Sequence, residues 1–163
     1  MATWATPDGI VHLVREHDLA LGFDFGLRRI GVAAGSSATG SATPLGNVAC
    51  RDGRPDWSAI QAFVSEWQPA LLVVGLPYNS DGSETDMSRA ARRFGHRLGN
   101  RLGLPVEFVD ERLSSSEATR HLVEARRRGD RRRIRKQDVD PMAAAIILQT
   151  WLDGTGERGR REG

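Results

Sequence analysis

From Leu19 to Phe25 large apolar side chains alternate with small or acidic ones: Leu19, Leu21, Phe23 and Phe25 fall on one face, Ala20, Gly22 and Asp24 on the other. That period of two predicts a strand. The turn Gly26-Leu27-Arg28 leads at once into a second apolar run over 29–34, and so short a connection joins only antiparallel neighbours. A third strand is expected near Leu45 to Cys50. A helix follows from about Asp56, with Trp57, Ile60, Phe63, Val64 and Trp67 on one stripe. The unbroken apolar run Leu71 to Leu76 has the pattern of a central, parallel strand covered on both faces. Ser83 to Asp86 has capping-box spacing and opens a helix that buries Met87, Ala91, Phe94, Leu98 and Leu102. A fifth strand is expected from Pro105 to Val109. A second capping box, Ser114 to Glu117, opens another helix, and the last helix begins at Asp140-Pro141, with Met142, Ala143, Ile146, Ile147, Thr150 and Trp151 in a strongly apolar stretch. The order β-β-β-α-β-α-β-α-α implies an α/β fold: a mixed five-stranded sheet, its first three strands antiparallel, with helices on both faces.

A chain of 163 residues with 39% apolar content suits one such domain. The expected division is a short N-terminal extension over 1–18, the folded domain over 19–152 and a flexible charged tail over 153–163. Cys50 is the only cysteine, so no intrachain disulfide can form, and a reducing compartment is expected. No run approaches the ~18–20 apolar residues of a membrane span, and the first residues lack a signal-peptide pattern. The expectation is therefore a cytoplasmic protein with no membrane partner. Net charge is only +2, but Arg126 to Lys136 carries eight basic residues against Asp130 alone. Such a cluster suits a polyanion, because guanidinium groups match phosphate and displace its counterions; a solvated loop between helices would look the same.

In open α/β sheets ligands bind beyond the carboxyl ends of the parallel strands. Three acidic places fall there: Asp24 near the end of the first strand, Asp110-Glu111-Arg112 after the fifth, and Asp140 opening the last helix. Asp24 is the hardest to explain structurally, because a carboxylate in an apolar central strand is costly without a partner. Asp140 before Pro141 could instead be a helix cap contributing ~1 kcal/mol, and either Asp110 or Glu111 could simply pair with Arg112. Carboxylates suit hard ions such as Mg²⁺ or Mn²⁺, which assist phosphodiester hydrolysis singly or in pairs. The four scattered histidines and the single cysteine do not suit zinc. No GxGxxG, GxxxxGK[ST] or GxSxG motif occurs, which argues against dinucleotide, P-loop and serine-hydrolase chemistry.

Four ordered blocks, GFDFGLRRIGVA at 22–33, VVGLPYNSDGSETDMSRAARRF at 73–94, DERLSSSEA at 110–118 and KQDVDPMAAAIILQTWL at 136–152, closely resemble the YqgF/RuvX family, described as pre-16S rRNA nucleases and formerly as Holliday junction resolvases. The resemblance covers roughly Leu19 to Leu152. It implies a ribonuclease H-like fold and metal-assisted cleavage of structured RNA or branched DNA, in ribosome biogenesis for the RNA reading. Carried over residue by residue, it assigns catalysis and metal binding to Asp24, Glu111 and Asp140, preferring Glu111 to Asp110 and Asp140 to Asp138, with one or two Mg²⁺ or Mn²⁺ ions. Arg28, Arg112 and the basic cluster, including Arg131, Arg132, Arg133 and Lys136, are expected to grip the nucleic-acid backbone, with Asn79 and Ser83 orienting it. The implied partners are pre-rRNA and the small ribosomal subunit, with branched DNA as the alternative, for a monomer or a homodimer. A junction resolvase would need a symmetric dimer to make paired cuts, and a binding factor with idle acids would grip RNA without cutting it. An actin-like ATPase reading is weaker, because it needs two such domains and this chain has length for one.

Overall fold

The computed structural model describes residues 2–5, 11–14, 19–114 and 139–161, with side-chain surroundings described for 19–114 and 140–154. The helix expected after Ser114 and the arginine cluster lie outside the described residues. The elements are β1 (Ala2–Ala5), β2 (Val11–Val14), β3 (Leu19–Asp24), β4 (Arg29–Ser36), β5 (Ser41–Arg51), β6 (Arg54–Pro55), α1 (Trp57–Trp67), β7 (Leu71–Leu76), α2 (Asp86–Leu102), β8 (Val106–Asp110) and α3 (Val139–Arg161). The main sheet runs β6-β5-β4-β3-β7-β8. β3, β4 and β5 pair antiparallel, while β7 is parallel to both β3 and β8. Full burial of all six residues of β7 follows from that position between two strands and two helical layers.

Alternation in β3 sorts the two cores. Leu21, Phe23 and Phe25 join Ile30, Val32, Leu72, Val74, Phe94 and Leu98 beneath α1 and α2, whereas Ala20 joins Ala33, Val73, Ala144, Ile147 and Leu148 beneath α3. The α3 face is lined by small residues, so this helix lies very close to the sheet. A Cβ added to Gly22 would stand 2.9 Å from that of Leu148. Gln149 fastens the same helix to the β4–β5 hairpin, accepting from the Ala42 amide at 3.1 Å and donating to the Gly40 carbonyl at 2.9 Å.

Several details depart from the sequence expectation. The sheet has six strands, not five, because Asp52 and Gly53 both adopt positive φ (50° and 78°) and fold β6 back on the end of β5; Asp-Gly is a favoured pair for such a two-residue turn. β5 begins at Ser41 and tolerates Pro44 beside a register shift opposite Val32/Ala33. In α1, Ile60 alone of the stripe is fully buried, and Trp67 is exposed at the last turn. The cap of α2 is Thr85, paired reciprocally with Ser88, rather than Ser83 with Asp86; Ser83 is held instead by the preceding loop, its amide and hydroxyl both donating to Asp81. Val139 already belongs to α3, so Asp140 and Pro141 lie in its first turn instead of capping it. An acid is favoured there by the helix dipole, and proline is harmless where its missing N–H has no partner to lose. Outside the main sheet β1 and β2 pair antiparallel, and α3 continues to Arg161. Extending a helix already nucleated by packing costs far less than starting one.

Candidate metal-binding site

Asp24 ends β3 on the α3 face, and a glycine flanks it on each neighbouring strand. On β4 its register partner is Gly31; on β7, Gly75 follows Val74, the partner of Phe23. Both glycines are required by what covers them. A Cβ at Gly31 would collide with the Asp140 carbonyl, and one at Gly75 would stand 2.8 Å from Glu111 Oε1 and 2.5 Å from Ile147 Cδ1. The first turn of α3 thus brings Asp140 down on one side of Asp24, and the turn after β8 lays Glu111 over the other. Strands lie ~4.8 Å apart, so the Asp140 backbone over β4 and the Glu111 carboxylate over β7 stand on either side of Asp24.

The electrostatics agree with that placement. Burial first, then the negative charges of Glu111 and Asp140, raise the Asp24 carboxyl from 3.8 to about 7. Burial, followed by the charge of Asp110, also raises Glu111. No cation among the described residues relieves either shift, and clustered carboxylates of this kind gain from binding one. Asp140 is paired with a cation, Arg29 Nε lying 3.2 Å from its Oδ2. Among the described residues no three acidic, histidine or cysteine side chains form a ready-made cage for an ion. The donors nevertheless fit a hard divalent cation in type: they are all carboxylates, two of them destabilised by burial, and Asp140 would exchange or share its Arg29 partner.

The two acids of the post-β8 turn have separate roles. Asp110 accepts from the Arg112 amide at 2.9 Å and from its guanidinium at 3.1 and 2.6 Å, which holds its carboxyl below the usual range. Glu111 is left free to face Asp24. Arg112 itself is held by Asp110 and lies 5.6 Å over the Tyr78 ring, half-exposed. Asn79 donates to Ser83 Oγ at 2.9 Å within the loop that follows β7. Arg28 is exposed on the β3–β4 turn. Arg131, Arg132, Arg133 and Lys136 lie outside the described residues. Sequence reasoning missed Arg29, although its place just after the turn opposite Asp24 could have suggested it.

A sheet of this order with helices on both faces defines the ribonuclease H-like class of α/β domain. Among solved structures, Thermus thermophilus RuvC in complex with a Holliday junction substrate matches with a TM-score of 0.57 at 13% identity, over 85% of this chain and 97% of that one. A second Thermus thermophilus RuvC structure matches with a TM-score of 0.53 at 15% identity, over 84% and 96%. The chain belongs to the RuvX family, whose model, described as "RuvX: Holliday junction resolvase", matches residues 18–154. Relatives named "Putative pre-16S rRNA nuclease" include one from Nitrosococcus oceani, 53% identical over 82% of this chain and 86% of its own length. Another, from Chromohalobacter salexigens, is 55% identical over 82% and 88%. No helix among the described residues is long and apolar enough to cross a membrane.

Proposed function

We propose that this chain is a metal-dependent nuclease that processes the pre-16S rRNA end, with Asp24, Glu111 and Asp140 as its ion-binding acids and Mg²⁺ or Mn²⁺ as the ion. The observation that carries the reading is the partly buried Asp24, flanked on both sides by glycines that admit the other two acids and raised to about 7 by desolvation and by their charges. The names of the 53% and 55% identical relatives support the RNA substrate. A divalent cation at these carboxylates would supply positive charge against the phosphodiester oxygens and a water acidified for attack. Asp24 would contribute the rigid central donor, fixed by the sheet. Glu111, on a short turn after β8, and Asp140, on the first turn of α3, would complete the donor set from either side. Arg29 would keep Asp140 oriented, and Arg28 on the adjoining turn would meet the nucleic-acid backbone together with Arg112 and the 126–136 cluster. Cytoplasmic location and contact with the small ribosomal subunit belong to the same reading.

The test is cleavage of a labelled precursor small-subunit rRNA end beside a labelled four-way DNA junction, with Mg²⁺, Mn²⁺ or chelator. Metal-dependent cleavage of the RNA is expected. Paired symmetric cuts confined to the junction would transfer the assignment to a resolvase, and binding without any cut would make the chain an assembly factor.

The two neighbouring acids separate cleanly in the same assay. Glu111→Gln is expected to lower the cleavage rate by ~10²-fold or more, the scale on which removing one group that stabilises transition-state charge acts. Asp110→Asn should leave the rate within a few-fold and lower stability by about 1 kcal/mol, since it weakens a charge-assisted bond at the surface. Equal losses of rate in the two variants would refute the assignment of Glu111.

A further inference from the structure

On the opposite face of the same strand end lies a cavity of about 200 Å³. Its floor is Phe25 and Phe94, stacked at 5.0 Å, and its rim is Leu27, Pro55, Arg93 and Arg97. Phe25 immediately follows Asp24, so the cavity is one residue from the acidic site, across the edge of the sheet. Its walls are fixed. The Gly53 amide donates to the Leu27 carbonyl at 3.2 Å and the Cys50 amide to the Arg28 carbonyl at 2.9 Å, which joins the β3–β4 turn to the β5–β6 turn.

The charge around it is unbalanced. Arg93 and Arg97 stand four residues apart on α2, both exposed, a like-charge spacing that costs a helix ~0.2–0.5 kcal/mol. Neither makes an ion pair among the described residues, in contrast to Arg89 and Arg92 on the same helix, which reach Glu84, and to Arg101, which covers Trp57 at 4.4 Å. Arg28, Arg51 and Arg54, on the adjoining turns, are likewise exposed and without an ion pair among the described residues, and Asp52 is the one acid on the cavity wall. Leu27, on the rim, is 52% exposed and so open to a ring entering the cavity. The volume is below the ~300–1,000 Å³ of drug-sized sites, so it admits a single planar ring rather than a whole cofactor.

Resting on the nuclease reading, we propose that this cavity is a subsite for one nucleotide of the substrate strand, next to the scissile bond, with the base against Leu27 and Pro55 and the phosphate on Arg93 and Arg97. A strand crossing the carboxyl edge of the sheet would pass from Asp24 to this cavity without leaving the surface. The subsite therefore selects an unpaired nucleotide, whose exposed base can enter where a stacked one cannot.

The test is the affinity of the full chain for a labelled single-stranded RNA 12-mer and for the DNA 12-mer of the same sequence, by fluorescence anisotropy in chelator, so that binding is read apart from cutting. Arg93→Ala/Arg97→Ala is expected to weaken binding about tenfold and to lower the salt slope by ~0.7 for each phosphate no longer neutralised. Leu27→Ala should weaken it three- to tenfold with the slope unchanged, and Arg89→Ala should do neither. Metal-dependent cleavage should show the double variant's loss in KM rather than in kcat. A larger effect on RNA than on DNA assigns the subsite to an RNA strand, and the reverse to DNA. Affinity within twofold of wild type in the double variant overturns the subsite while leaving the nuclease intact. An effect of the arginines with none of Leu27 reduces it to a phosphate-binding pair and overturns the nucleotide pocket, and absence of binding to either strand, with no cleavage, overturns both readings together.

Discussion

Asp24→Asn is expected to abolish cleavage, by ~10²-fold or more, while making the metal-free protein more stable above neutral pH. The two effects have one cause. Burial and the charges of Glu111 and Asp140 raise the folded-state pKa of Asp24 from 3.8 to about 7. The folded state therefore holds a proton that the unfolded chain releases, and stability falls as pH rises between about 4 and 7. Above that window the full loss applies, on the order of 4 kcal/mol if the whole shift is counted. Asparagine carries no charge to desolvate and removes the repulsion. Thermal unfolding in chelator should show the variant above wild type at pH 8 and the difference narrowing by pH 5. A difference independent of pH would mean that Asp24 does not carry this strain. A divalent ion should reverse the order by stabilising only the protein that binds it.

The second large effect is expected at a residue with no side chain. Gly31→Ala places a methyl group against the Asp140 carbonyl, a backbone atom that cannot move alone, so the first turn of α3 must lift from β4. Overpacking of this kind costs ~1–3 kcal/mol or more, which lowers Tm by roughly 2–4 °C per kcal/mol in a chain of this size. Because Asp140 moves with that turn, metal affinity and cleavage should fall even in the folded fraction. Gly154→Ala, in the same helix but with nothing within 4 Å of the added carbon, should have the opposite sign; a helical Gly→Ala change is expected to raise stability by ~0.5–1 kcal/mol. Differential scanning calorimetry of the two variants checks both. Equal, near-zero shifts would show that Gly31 is not a seat for the helix.

The order of the elements was legible because its signals are local and period-specific. Alternation over Leu19–Phe25 gave β3 its two faces, the short turn after Phe25 required a hairpin, and the unbroken run Leu71–Leu76 marked a strand covered on both sides. Asp24 stood out for the same reason, as a charge in a strand whose neighbours were apolar or small. What periodicity and spacing could not supply was the choice between chemically equivalent neighbours, which for Glu111 only the family resemblance made. Asp110 and Glu111 are both acids after β8, and only the fold shows that Arg112 claims the first. Ser83 with Asp86 had capping-box spacing, but the loop around Asp81 holds Ser83 and Thr85 caps the helix with Ser88. Gly31 and Gly75 carried a readable signal, since glycine inside a strand often marks close approach of another group, but which group approaches is decided by residues far apart in the chain. The pairing of Arg29 with Asp140 is long-range in the same way. The β5–β6 hairpin, by contrast, had a local signal in Asp52-Gly53 that the strand periodicity alone does not reveal.

If Asp24, Glu111 and Asp140 hold a divalent cation between them, calorimetric titration of the metal-free chain with Mn²⁺ at pH 7 should show it without any knowledge of the substrate. Measured in two buffers of different ionisation enthalpy, binding should release protons, because desolvation and the neighbouring acids leave Asp24 partly protonated near pH 7 and it must ionise to ligate. Binding should be lost in Asp24→Asn and weakened in Glu111→Gln, with Asp110→Asn unchanged. Mn²⁺ binding of the same affinity in wild type and Asp24→Asn, or none in wild type, would contradict the account.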